Sequence, residues 1–113
     1  MKINRTTALS LWHEQYGFSR FAKDFHGNLM CIDGYGDSNY AVWFNGRKIY
    51  CGWNIHHILP RSSGGTDQKN NLLCTNYYTN AEAGNRITYW IDDCLYQVKK
   101  IQNKQKYGIF KLK

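Results

Sequence analysis

At 113 residues the chain has room for one modest hydrophobic core, so fold and function are expected to share a single domain over 1–113. An apolar fraction of 42%, a single proline and the lack of any repeat exclude a disordered or fibrous chain. Fifteen Lys and Arg against eight Asp and Glu leave a net charge of +7, which favours a polyanionic partner such as nucleic acid, although a merely solvated basic surface carries the same charge.

The opening Met1 to Arg5 is followed by no apolar stretch of signal-peptide length, and no run of about 18 apolar residues exists to span a bilayer, so no membrane partner and a cytoplasmic setting are expected. Cys31, Cys51, Cys74 and Cys94 stand 20 or more residues apart, without the Cys-x2-Cys pairs of zinc ribbons. They read as reduced and packed.

In chain order, Leu9, Trp12 and Tyr16 fall near helical spacing, with Thr6 or Thr7 to cap the start and Gly17 to end it. That aromatic stripe reads as core, and Trp12 is given no function. Asp24 to Asn39 holds Gly27, Gly34 and Gly36 around a short strand at Leu29–Ile32. Tyr40–Phe44 and Lys48–Ile55 flank Asn45-Gly46, the dipeptide best suited to a type I′ hairpin. Arg61 to Lys69 is too polar and glycine-rich for regular structure and reads as a surface loop. Asn71–Cys74 returns as an extended segment, and Asn76–Arg86 is helix-compatible, ending near Gly84. Ile87–Ile91 and Cys94–Val98 around Asp92-Asp93 form another hairpin. Six lysines and no acid follow from Lys99, alongside a last, edge strand near Tyr107–Leu112.

One segment carries chemistry: His56-His57, Pro60, Gly64-Gly65, Asn71-Leu72, and Asn80 nine positions after Asn71. Each piece alone means little, and together, in order, they resemble the HNH, or ββα-metal, nucleases. In that family a pair such as Asp-His or His-His precedes a Gly-Gly loop, an Asn-Leu step and a final His or Asn. The match covers Gly52 to about Arg86, and Asp24–Met30, Gly34-Tyr-Gly and Gly52-Trp-Asn-Ile look like the lead-in of some bacterial and phage members. Two positions depart from the commonest pattern, His56 where many members have Asp and Asn80 where many have His, and the paired zinc-binding cysteines of many relatives are missing. The resemblance implies an α+β fold with a small ββα-metal (His-Me finger) core at 52–86, an N-terminal helix and an additional β-hairpin at the C-terminus.

Consecutive side chains on an extended segment point to opposite sides, so His56 and His57 should not share one metal. In-line hydrolysis needs a base on the water side of phosphorus and a cation near the leaving oxygen, and a split pair serves both. By resemblance His57 is the base, His56 and Asn80 are the metal ligands, and Asn71 orients His57 and fixes the loop. An imidazole with an ordinary pKa of about 6.5 is largely neutral at physiological pH and able to take a proton. One divalent ion, Mg²⁺ or Mn²⁺, is implied, and two neutral donors extend the range to Ni²⁺, Co²⁺ or Zn²⁺.

Arg61, Lys69 and Arg86 are candidates for nucleic-acid contact, weighed against solvated loop cations and, for Arg86, a helix-dipole role. Glu82 reads as a helix-surface acid, and His13 and His26 as structural or exposed. The expected activity is endonucleolytic hydrolysis of DNA by a phage or bacterial protein, with a protein partner as one source of specificity. The alternatives are an RNase, or a binding module such as a nuclease inhibitor that keeps the fold without turnover.

Overall fold

The computed structural model describes residues 2–102 and 105–113. Among them are two α-helices and a set of short strands paired antiparallel in four small sheets, an α+β fold. The first helix, α1 (Arg5–Tyr16), starts earlier than Thr6 or Thr7 suggests. Asn4 is the cap: its Oδ1 accepts from the Thr7 N–H at 3.0 Å while Thr7 Oγ1 accepts from the Asn4 N–H at 2.9 Å. This reciprocal box uses Thr7 as the third helical residue, which is why the threonine is not itself the cap. Gly17 ends the helix, its N–H donating to the His13 carbonyl.

Two strands follow, β1 (Phe21–Lys23) and β2 (Leu29–Cys31). The first was not expected from sequence; it exists through its pairing with β2. Between them Asp24, 5% exposed, organises the turn. Its Oδ1 accepts the N–H groups of His26, Gly27 and Asn28 at 3.0, 3.1 and 3.0 Å. Its Oδ2 accepts the N–H of Asn76 at 3.0 Å. A carboxylate with four backbone donors keeps its solvation inside the protein.

The expected hairpin is present as β3 (Ala41–Phe44) and β4 (Arg47–Tyr50), with Asn45 and Gly46 at φ of 51° and 75°, as a type I′ turn requires. The strand read as Lys48–Ile55 is in fact broken at Cys51-Gly52. There the backbone changes partners: the Cys51 carbonyl accepts from the Cys31 N–H at 2.9 Å and the Gly52 carbonyl from the Tyr77 N–H at 3.1 Å. A new strand, β5 (Trp53–His57), then pairs with β6 (Leu72–Asn76), in register from Trp53 opposite Asn76 to His57 opposite Leu72. The connecting loop contains 3-10 turns at Arg61–Ser63, where no regular structure was expected, and at Lys69–Asn71, so the extended segment read from Asn71 begins at Leu72.

Helix α2 (Tyr77–Ala83) leaves the end of β6 directly. Asn76 caps it, its Oδ1 accepting from the Tyr78 N–H at 2.8 Å. The Asn76 amide also donates to the carbonyls of Leu29 at 2.7 Å and Tyr50 at 3.1 Å. The other edge of β6 is closed by α1, where Gln15 donates to the Leu72 carbonyl and accepts from the Cys74 N–H, each at 3.0 Å. Ala8, Leu11 and Trp12 of α1 pack with Met30, Trp53, Ile55, Leu72 and Cys74 in one core cluster.

The C-terminal segment is a three-stranded sheet in the order β7 (Thr88–Ile91), β8 (Cys94–Lys100), β9 (Tyr107–Lys111), with the expected hairpin first and β9 at the edge. Tyr89, Ile91, Tyr96 and Val98 pack with Ala83 of α2 in a second cluster. Of the six tail lysines, Lys104 lies outside the described residues, as does Met1. All four cysteines are free thiols, three of them buried. Among the described residues no helix is long and apolar enough to cross a membrane.

Candidate active site

His56 and His57 end β5, where the strand hands over to the loop that runs to β6. Their partners lie in different directions, as adjacent residues of a strand require. His56 is buried against α2, and its Nδ1 stands 2.7 Å from Asn80 Oδ1. An amide oxygen only accepts, so the ring proton sits on Nδ1. The other ring nitrogen, Nε2, is buried with no hydrogen-bond partner. Burial holds the imidazole below its ordinary 6.5, against the hydrogen bond to Asn80, and His57 adds to the lowering. His56 is thus kept neutral, the form that ligates metal.

His57 turns to the loop. Its Nε2 lies 2.7 Å from Asp67 Oδ1, ten residues on, and Asp67 Oδ2 takes a bond of 2.8 Å from the Arg61 guanidinium. The hydrogen bond from His57 holds the Asp67 carboxyl below the usual carboxylate range, against desolvation, and the Arg61 charge adds to the lowering. An ionised carboxylate only accepts, so Nε2 of His57 carries a proton, and in the neutral ring the lone pair is the one on Nδ1. The resemblance did not single out Asp67. Yet the sequence held a signal, because Asp67 is the one acidic residue between Asp37 and Glu82.

Asn71 staples the loop as expected. Its Oδ1 accepts from the Leu59 N–H at 2.9 Å, and its Nδ2 donates to the carbonyls of Leu59 at 3.1 Å and Thr66 at 2.9 Å. The expected orienting bond to His57 is not made by its side chain; Asp67 supplies it. Asn71 acts one step removed, by holding Thr66 and with it the position of Asp67. The Gly64-Gly65 pair has a steric reason, since a Cβ at Gly65 would fall 1.7 Å from the Leu59 carbonyl oxygen and Gly64 has φ of 95°.

A cleft of about 380 Å³ opens over these groups, lined by both histidines, Arg61, Ser62, Asn80 and Asn85. Of the expected nucleic-acid contacts, Arg61 alone lines it. Lys69 is instead bound to Glu14 of α1 at 3.0 Å. Arg86 donates to the Glu82 carbonyl and closes the end of α2, the helix-dipole role weighed for it. His13 bonds the Gly17 carbonyl at 3.0 Å, and His26 sits between Tyr96 and Asp92, at 2.7 Å from each.

The donor pair His56 Nδ1 and Asn80 Oδ1 fits a divalent ion. Two ligands about 2.1 Å from one ion stand roughly 3 Å apart, close to the 2.7 Å separation, and binding through Nδ1 would require the ring proton to move to the buried Nε2. Among the described residues no three His, Cys, Asp or Glu side chains converge, so water and substrate oxygens would supply the remaining ligands. Comparison with protein-family models, curated proteins and solved structures finds no match for this chain.

Proposed function

We propose that the chain is an H-N-N variant of the HNH endonucleases, a metal-dependent hydrolase of DNA phosphodiester bonds, with β5, β6 and α2 as its ββα-metal core. The observation that carries the reading is that His56, paired with Asn80, and His57 line one cleft, with His57 held from outside that lining by Asp67. The net charge of +7 suits a polyanionic substrate.

His56 and Asn80 would hold the ion. Bound there, a divalent cation supplies Lewis-acid stabilisation of the charge that builds on the phosphoryl and leaving oxygens. His57 takes the proton of the attacking water on Nδ1, while Asp67 keeps the ring oriented through Nε2–H and offsets the charge of the imidazolium that forms. Arg61, anchored on Asp67 Oδ2, has further N–H groups at the cleft to bind a phosphate oxygen. Asn71 holds the loop that presents Asp67.

Plasmid cleavage by wild type and His57→Ala, in EDTA, Mg²⁺ and Mn²⁺, tests the proposal. Metal-dependent nicking or linearisation that disappears in the variant is expected. A wild type that binds DNA but cuts it with no metal would refute the nuclease and leave a binding module.

A further inference from the structure

The β3–β4 hairpin leaves large aromatic side chains in solvent: Trp43 is 71% exposed, Phe44 64% and Tyr50 53%. Cations sit among them. The register places Trp43 opposite Lys48 and Phe44 opposite Arg47, so each face of the hairpin joins an aromatic ring to a positive charge. On one face Lys48 Nζ lies 5.1 Å over the Tyr50 ring. An apolar groove of about 370 Å³ is lined by Val42, Trp43, Phe44 and Ile49 together with Phe21 and Leu29. From Ser38 to Thr66 the chain has no Asp or Glu.

We infer that this hairpin is a stacking platform for unpaired bases of single-stranded nucleic acid. Aromatic faces in a basic setting bind any base by its π-face while cations track the phosphates. Base faces are hidden by stacking inside a duplex and presented in a single strand, which makes the single strand the better occupant. A second copy of the chain fits poorly, because a symmetric contact here would set Arg47 and Lys48 against their own counterparts with no acid in the hairpin to pair them. The inference does not rest on hydrolysis; it concerns binding at residues outside the cleft.

The test is binding of the full chain to oligo-dT and oligo-rU in EDTA, followed by anisotropy and by tryptophan emission, with circular-dichroism melts to establish folding. Wild type should bind, and the two oligonucleotides distinguish DNA from RNA as the preferred strand. Trp43→Ala and Phe44→Ala should each weaken binding on the order of tenfold. Trp43→Phe should retain affinity while losing most of the emission quench. Arg47→Gln with Lys48→Gln should lower the slope of log affinity against log salt by about 0.7 for each phosphate that is no longer neutralised, whereas the aromatic variants leave that slope alone. Binding that ignores both alanine variants, a blunt duplex that competes equally, or self-association abolished by Trp43→Ala would overturn the inference. Because no cleavage is measured, loss of nicking in the plasmid assay with binding intact, or the reverse, separates this inference from the nuclease reading.

Discussion

His57 Nε2 and Asp67 Oδ1 are 2.7 Å apart, joined across a loop that leaves β5 and doubles back before β6. The carboxylate fixes which ring nitrogen carries the proton, and so which one holds the lone pair in the neutral ring. Asp67→Ala should lower kcat on the order of 10–100-fold with little change in KM. Asp67→Asn should fall less far, because its amide oxygen can still accept from Nε2. Mn²⁺ binding should be unchanged in both, since the proposed metal ligands, His56 and Asn80, lie on the other side of β5. Steady-state kinetics with calorimetric metal titration checks this, and an equal loss of metal affinity would refute the division of roles.

On the proposed reading, the opposite pair, His56 and Asn80, would set the metal preference. His56→Ala and Asn80→Ala should each weaken Mn²⁺ binding by at least about tenfold, ligand loss costing no less than loss of an outer-shell partner. Asn80→Asp supplies an anionic oxygen, the donor that hard Mg²⁺ favours, and should raise activity in Mg²⁺ relative to Mn²⁺. Titration calorimetry and nicking rates across the two ions read the effect.

Asp24 accepts from four backbone N–H groups at 5% exposure. Its removal leaves those donors without a partner. Asp24→Ala should destabilise the fold by about 3 kcal/mol in urea melts, and Asp24→Asn by less, because one amide oxygen still serves the turn.

Asp92 gives a pH-dependent effect of known sign. The hydrogen bond with His26, and then that from Tyr78 at 2.8 Å, hold its carboxyl below the ordinary 3.8. The folded chain therefore binds this proton more weakly than the unfolded chain does. The resulting stability is present above the ordinary value and is lost as pH falls through the lower folded value. In thermal melts the gap in Tm between wild type and Asp92→Asn should close as pH goes from roughly 5 to roughly 2. With Asp92 half exposed the gap should also shrink at high salt.

Local chemistry explains what was legible. Asn45-Gly46 announces its hairpin because few dipeptides tolerate two positive φ angles, and the run from His56 to Asn80 announces a strand, loop, strand and helix by fixed offsets. Long-range partners were not legible. The Cys51-Gly52 break depends on carbonyls meeting Cys31 and Tyr77, and β1 depends on β2. Asp67 lies in a polar, glycine-rich stretch where an acid ordinarily faces water; only the fold of the loop brings it to His57. Asp24 and Asn76 likewise read as ordinary turn and cap residues, and their reach to one another is a property of the assembled fold.

Asn76 commits its whole side chain to three different elements: two carbonyls, at the start of β2 and the end of β4, and the first turn of α2. The helix that carries Asn80 is only two turns long and would fray if it depended on its own hydrogen bonds. Its capping residue is fixed in place by the two neighbouring strands, so the cap is held in position before the helix forms. The preset cap offsets part of the cost of starting so short a helix, and with it of holding Asn80 opposite His56.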